Sequence, residues 1–177
     1  QSIVYTDSDW GGGVKDRRST SGGAWLLGDH CIKTWSSTQG AFALSSAEAE
    51  LYGMVEGATR ARGMITLAKE LGFTSLGSMI TLGTDSSAAK SFVNRRGVGR
   101  MRHLAITDLW LQREIREGRL ETVKVLGTEN PADLMTKAMS LRDIGTRLKG
   151  FIVGSRILGE RVREEGDIRR GSWRLHL

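Results

Sequence analysis

The sequence predicts a single α/β domain built around a mixed β-sheet. Segments with strand patterns come first, a long segment with a helical apolar face follows, and shorter strands and helices alternate after it. This succession is typical of layered folds in which helices cover a sheet. A chain of 177 residues is long enough for one domain with a sizeable core.

Three strands are predicted near the N-terminus. The first covers residues 2–7 and contains a short apolar run. A turn region with three consecutive glycines follows at residues 9–21. Two further segments, residues 23–28 and 31–36, are strand-like and separated by a short turn, which predicts a β-hairpin.

A long helix is predicted from about residue 46 to residue 71, with Gly72 as its stop signal. Its apolar residues recur at alternating steps of four and three, which places them on one helical face. These residues are Ala47, Leu51, Met54, Ala58, Ala61, Ile65 and Ala68.

Five shorter elements are predicted in the C-terminal half. Residues 79–84 and 120–126 have strand patterns, whereas residues 86–94 and 104–117 have helical patterns. A last helix is predicted at residues 131–148, because the only proline of the chain suits its first turn. The predicted order is therefore β-β-β-α-β-α-α-β-α.

We expect the domain to cover residues 1–149 and a basic C-terminal extension to cover residues 150–177. Residues 156–174 contain six arginines among four acidic residues, without a regular apolar pattern. A partly ordered charged tail is the favoured interpretation, and a separate functional element is the alternative. The chain begins with Gln1 rather than methionine, so we also expect a piece of a longer polypeptide.

Composition favours an acidic partner and excludes some classes of protein. The formal net charge is +6 and the sequence pI is about 9.9, which favours nucleic acid. A single cysteine, Cys31, excludes an internal disulfide framework and a cysteine-rich zinc site, and it suggests a reducing compartment. No apolar run approaches the roughly 18 residues that span a bilayer, so no membrane partner is expected.

Four acidic residues stand where predicted elements begin or end. They are Asp7, Glu50, Asp85 and Asp133. Strand ends and helix starts converge on one edge of a sheet in layered α/β folds, so these carboxylates are expected to meet there. Their mutual repulsion would be relieved by Mg²⁺, which takes oxygen ligands and often bridges to substrate phosphate.

Each acidic residue also has a structural interpretation. Asp7 or Asp9 could start a turn, Asp85-Ser86 could be a plain N-cap, and Asp133 could suit a helix dipole. Glu48 matches a capping-box pattern with the serine three residues before it, which leaves Glu50 as the candidate ligand. The metal-site hypothesis therefore rests on the set rather than on any one member.

The sequence resembles the ribonuclease H domain of copia-type LTR retrotransposon Pol polyproteins over about residues 3–140. The resemblance is carried by the motifs YTDSDW, RRSTSGGAWLLG, ALSSAEAELYG, TDSSAA, RHL…LW and NPADLMTK. It implies a ribonuclease H-like fold with about five strands flanked by helices. It also implies a metal-dependent endonuclease that cuts the RNA strand of RNA–DNA hybrids during reverse transcription.

The family motifs assign four catalytic metal ligands. The TD motif falls on Asp7, the AEL motif on Glu50, the TDS motif on Asp85 and the NxAD motif on Asp133. The resemblance implies two Mg²⁺ ions at these residues, with Mn²⁺ as a substitute. Asp9 is then a neighbouring or turn residue.

The loop before the last aspartate lacks a histidine that many other ribonucleases H carry there. It reads GTEN at residues 127–130. Copia-type domains commonly lack this histidine too. Its role in product release is left unassigned, and Glu129 is the candidate within the loop.

Several polar and basic residues are candidates for nucleic-acid contact. Small polar groups near the metal site would read the 2′-hydroxyl, and basic groups would position phosphates. A solvated surface is the alternative for the charge runs, and a backbone-bonded helix start is the alternative for His103. The candidates are Arg17, Arg18, Ser19, Thr20, Ser46, Ser86, Asn94, Arg95, Arg96, Arg100, Arg102 and His103.

Three functions remain open at the level of the sequence. The leading one is an active ribonuclease H whose partners are an RNA–DNA hybrid and the reverse transcriptase domain of the same polyprotein. The second is a domesticated, catalytically silent module that binds nucleic acid or protein, and the third is a transposase or integrase. An intracellular location is expected, within a cytoplasmic virus-like particle if the element is active.

Overall fold

The computed structural model describes residues 2–28, 30–73, 79–97 and 106–148, with side chains described from residue 109 in the last range. Arg100, Arg102, His103 and the predicted extension at residues 150–177 lie outside the described residues. The division at residue 149 therefore stays a prediction. Within the described part, no helix is both long and apolar enough to cross a membrane.

A five-stranded mixed sheet forms the centre of the fold. Its strands are β1 (Ser2–Asp9), β2 (Thr20–Leu27), β3 (His30–Thr38), β4 (Ile80–Thr84) and β5 (Leu120–Lys124). The spatial order is β3-β2-β1-β4-β5. The first three strands are antiparallel, whereas β4 runs parallel to both β1 and β5. The predicted strands and the mixed sheet are confirmed.

Within the described ranges, four α-helices accompany the sheet. They are α1 (Ser46–Glu70), α2 (Ser87–Asn94), α3 (Ile106–Arg116) and α4 (Leu141–Leu148). Two short 3₁₀ turns, Gly127–Glu129 and Pro131–Met135, lie between β5 and α4. The first three helices match the predicted segments.

The prediction of one continuous helix over residues 131–148 is wrong. The Pro131–Met135 turn ends at Thr136, and α4 begins only at Leu141. The segment between them is tied to β1, because the side chains of Thr136 and Lys137 both bond to Asp7. These tertiary contacts replace helical continuation, and Ser140 Oγ then accepts from Asp143 N to start α4.

The core lies between α1 and the sheet, with α2 and α3 beside it. Five of the seven residues on the predicted face of α1 are buried: Leu51, Met54, Ala58, Ala61 and Ile65. They join buried residues of the sheet such as Val4, Trp25, Ile80 and Leu82. The helix therefore crosses directly over β1, and Glu50 at the start of the helix lies near the C-terminal end of β1.

Gly57 permits the close approach of α1 to β1. A Cβ atom at this position would lie 2.6 Å from Thr6 Cγ2 and 3.2 Å from Val4 Cγ1. Gly57→Ala is therefore expected to destabilise the protein by about 1–3 kcal/mol through overpacking.

Gly63→Ala is the matched control on the same helix, because no heavy atom of the described residues, apart from its chain neighbours and the nearby backbone of α1, lies within 4 Å of its Cβ position. It should leave stability unchanged or raise it by up to about 1 kcal/mol. Urea unfolding measures both changes. Equal effects of the two substitutions would contradict the packing argument.

Candidate active site

Three carboxylates converge at the C-terminal edge of the parallel strands. Asp7 lies in the last part of β1, Asp85 directly follows β4, and Asp133 lies in the Pro131–Met135 turn. One ligand oxygen from each side chain lies within 4.8 Å of the others. Parallel pairing of β1 with β4 explains the proximity of the first two, because their C-terminal ends are adjacent.

Glu50 lies beside this cluster, although it is not among the three carboxylates that share the 4.8 Å limit. Its Oε1 accepts a hydrogen bond of 3.4 Å from Ser8 N. Its Oε2 is buried and has no hydrogen-bond partner within the described part of the chain. Burial, followed by the negative charges of Asp7 and Asp85, raises the pKa of Glu50 to about 8.

Two neighbouring residues that the sequence analysis missed contact the cluster. Lys137 Nζ lies 3.1 Å from Asp7 Oδ1 and 2.9 Å from Asp133 Oδ1, and the Thr136 hydroxyl donates to Asp7 Oδ2. Burial raises the pKa of Asp7, whereas the contacts with Thr136 and Lys137 lower it in part. The spacing of Lys137, four residues after Asp133, was the available sequence signal.

Arg147 of α4 is a third missed residue. Its Nε and Nη2 donate to Asp133 Oδ2 at 3.2 Å and 2.7 Å, and Nη2 also donates to the Gly127 carbonyl at 3.2 Å. No local pattern predicts this contact, because α4 was read as a continuation of the preceding turn.

The residues present fit a hard divalent cation. Clustered carboxylate oxygens are the donor set that Mg²⁺ and Mn²⁺ prefer. Glu50 Oε2 is buried without a hydrogen-bond partner in the described part of the chain, and a bound cation would supply a partner. Asp7, Asp85 and Asp133 would hold the ion, with Glu50 beside them.

Glu48 is structural, as predicted. The Ser45 hydroxyl accepts from Glu48 N at 3.2 Å, and Glu48 Oε2 accepts from Leu44 N at 3.0 Å. Its Oε1 accepts from the Tyr52 hydroxyl at 2.6 Å. The carboxylate thus closes the start of α1 and is bonded on both oxygens.

The structural alternative, an N-cap at Asp85-Ser86, is confirmed for Ser86 and not for Asp85. Ser86 is the cap, and its hydroxyl accepts from Ala89 N at 3.2 Å. Asp85 is therefore free of the capping role and faces the cluster. Ser86, a candidate reader of the 2′-hydroxyl, already has a structural hydrogen bond.

The loop between β1 and β2 carries two basic candidates at the surface. Arg17 is exposed with a φ of 57°, and Arg18 forms an ion pair of 3.7 Å with Asp16. The guanidinium of Arg18 also lies over the ring of Phe42, 5.1 Å from its centroid. Arg17 is thus the more exposed of the two, and contact of either arginine with a phosphate backbone stays a prediction.

The other two candidates of this loop stabilise its conformation. Ser19 is buried, and its hydroxyl accepts from Gly11 N at 3.0 Å. Thr20 is half-buried, and its backbone N–H donates to Asp9 Oδ1. Asp9 is the last residue of β1 rather than a turn residue, and its carboxylate holds the facing start of β2.

The remaining polar candidates differ in their surroundings. Ser46 is exposed at the start of α1. Asn94 is exposed, but its amide donates to Lys90 O at 2.8 Å and to Thr122 Oγ1 at 2.7 Å. Its side chain is thus fastened to β5.

The described start of the basic loop is held by α3. Gln112 is buried, accepts from Gly97 N at 2.9 Å and donates to Gly97 O and Phe92 O at 3.0 Å. Arg95 lies over the Phe92 ring at 4.6 Å, and Arg96 is exposed. Gln112 therefore orders the segment that presents both arginines.

The loop without histidine reaches the cluster through its backbone. Gly127 is so close to Asp85 that a Cβ atom there would lie 3.1 Å from Asp85 Oδ2. Glu129 is exposed at the end of the same turn. Its assignment to product release stays a prediction.

Comparison with known proteins gives sequence relatives among transposon polyproteins. No family model matches the chain. It is 29% identical over 137 residues to the retrovirus-related Pol polyprotein from transposon RE1 of Arabidopsis thaliana, covering 77% of the chain and 9% of the polyprotein. It is 27% identical over 135 residues to that from transposon TNT 1-94 of Nicotiana tabacum, covering 76% of the chain and 10% of the polyprotein.

Solved structures with the same fold are ribonucleases H. RNase H1 from Halobacterium salinarum has a TM-score of 0.51 at 16% identity, covering 76% of this chain and 92% of that chain. The N-terminal RNase H domain of a Mycobacterium tuberculosis protein has a TM-score of 0.52 at 16% identity, covering 84% and 98%. The chain thus has the ribonuclease H fold and is related in sequence to retrovirus-related Pol polyproteins of transposons, of which it spans about a tenth.

Proposed function

We propose that the chain is a ribonuclease H that acts within a retrotransposon Pol polyprotein. It would hydrolyse the RNA strand of RNA–DNA hybrids with the help of divalent metal ions. The convergence of Asp7, Asp85 and Asp133 beside Glu50, on a ribonuclease H fold, is the observation that carries this proposal. The reverse transcriptase domain of the same polyprotein is the proposed partner, and a cytoplasmic particle is the proposed location.

The chain's own residues would prepare the site for phosphodiester hydrolysis. Two bound Mg²⁺ ions would supply an activated water and stabilise the leaving oxygen. The Thr136 hydroxyl fixes the Asp7 carboxylate, and Ser8 N fixes that of Glu50. Lys137 supplies positive charge between Asp7 and Asp133. Preorganised groups of this kind lower the cost of reaching the transition state.

Three labelled duplexes of one sequence test the substrate class: an RNA–DNA hybrid, double-stranded RNA and double-stranded DNA. Cleavage of the RNA strand in the hybrid, at least about tenfold faster than cleavage of either other duplex, is the expected result. Gel analysis in Mg²⁺ and in Mn²⁺ measures the rates. Preferential cleavage of double-stranded DNA would instead favour a transposase or integrase chemistry.

The second candidate function is a silent nucleic-acid-binding module. One observation favours it, because cationic side chains already contact both oxygens of Asp133. Such a module would bind the hybrid but would not respond to divalent metal. Inertness of the wild type in both metals, with the hybrid still bound, is the outcome that would support it.

Arg96→Ala is expected to weaken binding of the hybrid by about two- to tenfold. It should also reduce the slope of log K against log salt concentration by about one, which corresponds to the loss of one phosphate contact. The reason is that Arg96 is exposed on the segment held by Gln112. Arg116→Ala, an exposed arginine on α3, is the control. Fluorescence anisotropy in EDTA over a salt series measures both. Equal salt slopes for Arg96→Ala and the wild type would show that Arg96 does not contact the hybrid.

A further inference from the structure

We infer that Arg147 is a positioning residue that holds the Asp133 carboxylate in the orientation needed for metal binding. This inference rests on the proposed function, since it concerns the same site. It adds α4, whose arginine lies outside the family motifs, to the elements that build the site. It also predicts which oxygen of Asp133 exchanges its protein partner for a metal ion.

The contact is well formed and largely removed from water. Arg147 donates to Asp133 Oδ2 through two nitrogens, at 2.7 Å and 3.2 Å. Its side chain is 12% exposed and that of Asp133 is 4% exposed. A planar guanidinium that donates twice to one carboxylate oxygen holds that oxygen more tightly than a single flexible donor does.

The two oxygens of Asp133 have unlike partners. Oδ2 is bonded to Arg147, whereas Oδ1 is bonded to Lys137, whose side chain is 43% exposed. The lysine, which is partly exposed, can move into solvent when a bound cation takes over its charge at the two carboxylates, whereas the arginine is also bonded to the Gly127 carbonyl. Oδ1 is therefore the oxygen that can exchange its partner for a metal ion while Oδ2 stays in place.

Arg147 also connects two sides of the cluster. It bonds to Gly127 O, and Gly127 lies against Asp85, as its Cβ position 3.1 Å from Asp85 Oδ2 shows. One guanidinium thus sets the spacing between the turn that carries Asp133 and the loop next to Asp85.

The contact also anchors α4. None of the eight residues of this helix, all of which the structure describes, is buried. The helix packs on the two 3₁₀ turns rather than on the hydrophobic core. The polar contacts of Arg147 therefore join α4 to the site. Loss of these contacts should change the position of the Asp133 carboxylate first.

Charge and geometry make opposite predictions about the removal of Arg147. Its positive charge repels a metal ion, so loss of charge alone would tighten metal binding. The two donor nitrogens of its guanidinium hold Oδ2 and thereby orient Oδ1, so loss of this paired contact would weaken metal binding. Arg147→Lys keeps the charge and loses the paired contact, whereas Arg147→Met loses both. We expect the geometric effect to dominate in both variants.

Calorimetric titration with Mn²⁺ tests this on the full chain, with Arg142→Met as the control because Arg142 is exposed on the same helix. The dissociation constant should rise about five- to twentyfold in Arg147→Lys and Arg147→Met, and stay unchanged in the control. Hybrid cleavage should then recover at high Mg²⁺, with kcat near that of the wild type. A purely structural role would show no such recovery by metal.

The outcomes separate this inference from the proposed function. If the wild type bound no Mn²⁺, the proposed function would fail. If the wild type bound Mn²⁺ and Arg147→Lys bound it equally well, only the role of Arg147 would be refuted. If Arg147→Met did not fold, Arg147→Lys alone would decide, because it keeps the charge and the aliphatic stem.

Discussion

Asp85→Asn is expected to reduce hybrid cleavage by on the order of a thousandfold while leaving the fold intact. An amide in place of the carboxylate removes one negative charge from the metal site. Loss of about 4 kcal/mol of transition-state stabilisation corresponds to this factor. Asp85 is the best position for the test, because no hydrogen bond or ion pair to its carboxylate is found within the described residues. Initial rates in Mg²⁺ measure the effect.

The other two carboxylates are less suitable for this experiment. Asp7 is bonded to Thr136 and Lys137, and Asp133 to Lys137 and Arg147, so their replacement would also disturb the fold. A matched control for Asp85→Asn is Glu70→Gln, which changes an exposed carboxylate at the end of α1. The wild type, Asp85→Asn and Glu70→Gln should have the same thermal unfolding midpoint. Activity of Asp85→Asn near the wild-type rate would refute the assignment of Asp85.

Glu50→Gln is expected to stabilise the protein at pH 8 when divalent metal is removed with EDTA. Burial and the charges of Asp7 and Asp85 raise the pKa of Glu50 to about 8 in the folded state. The unfolded value is about 4.3. The folded state therefore favours the protonated form, and stability from this group is lost as the pH rises between these values. Relative to low pH, the loss reaches on the order of 5 kcal/mol at pH 8.

Urea unfolding at pH 5 and pH 8 measures this effect in the wild type and in Glu50→Gln. The difference in the free energy of unfolding should be small at pH 5 and should favour the variant at pH 8. Saturating Mg²⁺ should reverse the order at pH 8, because the ion stabilises only the wild-type carboxylate. A pH-independent difference would show that Glu50 is not held in a buried, negatively charged site.

The strands and α1 were predictable from sequence because their signals are local. Alternation and helical spacing report which face of each segment is buried, and Leu51, Met54 and Ala58 are buried as predicted. The convergence of Asp7, Asp85 and Asp133 followed from their positions at element ends. Parallel pairing of β1 and β4 then brought two of them together.

The groups that surround the carboxylates were not predictable in this way. Thr136 and Lys137 reach Asp7 across 129 and 130 positions of sequence, and no periodicity encodes such contacts. The same contacts interrupt the helix predicted over residues 131–148. Arg147 was missed for a related reason, since its partner lies in a separate turn rather than one helical turn away.

The most direct test of the account is a crystal structure of the chain grown or soaked with Mn²⁺, with anomalous diffraction to locate the ion. We predict an anomalous peak between Asp7, Asp85 and Asp133, close enough to Glu50 for its carboxylate to bind the ion or a water on it. Lys137 Nζ should have moved away from Asp133 Oδ1, with Arg147 still on Oδ2. No peak at this cluster at saturating Mn²⁺, with Lys137 still bridging Asp7 and Asp133, would contradict the metal site and the nuclease activity proposed from it.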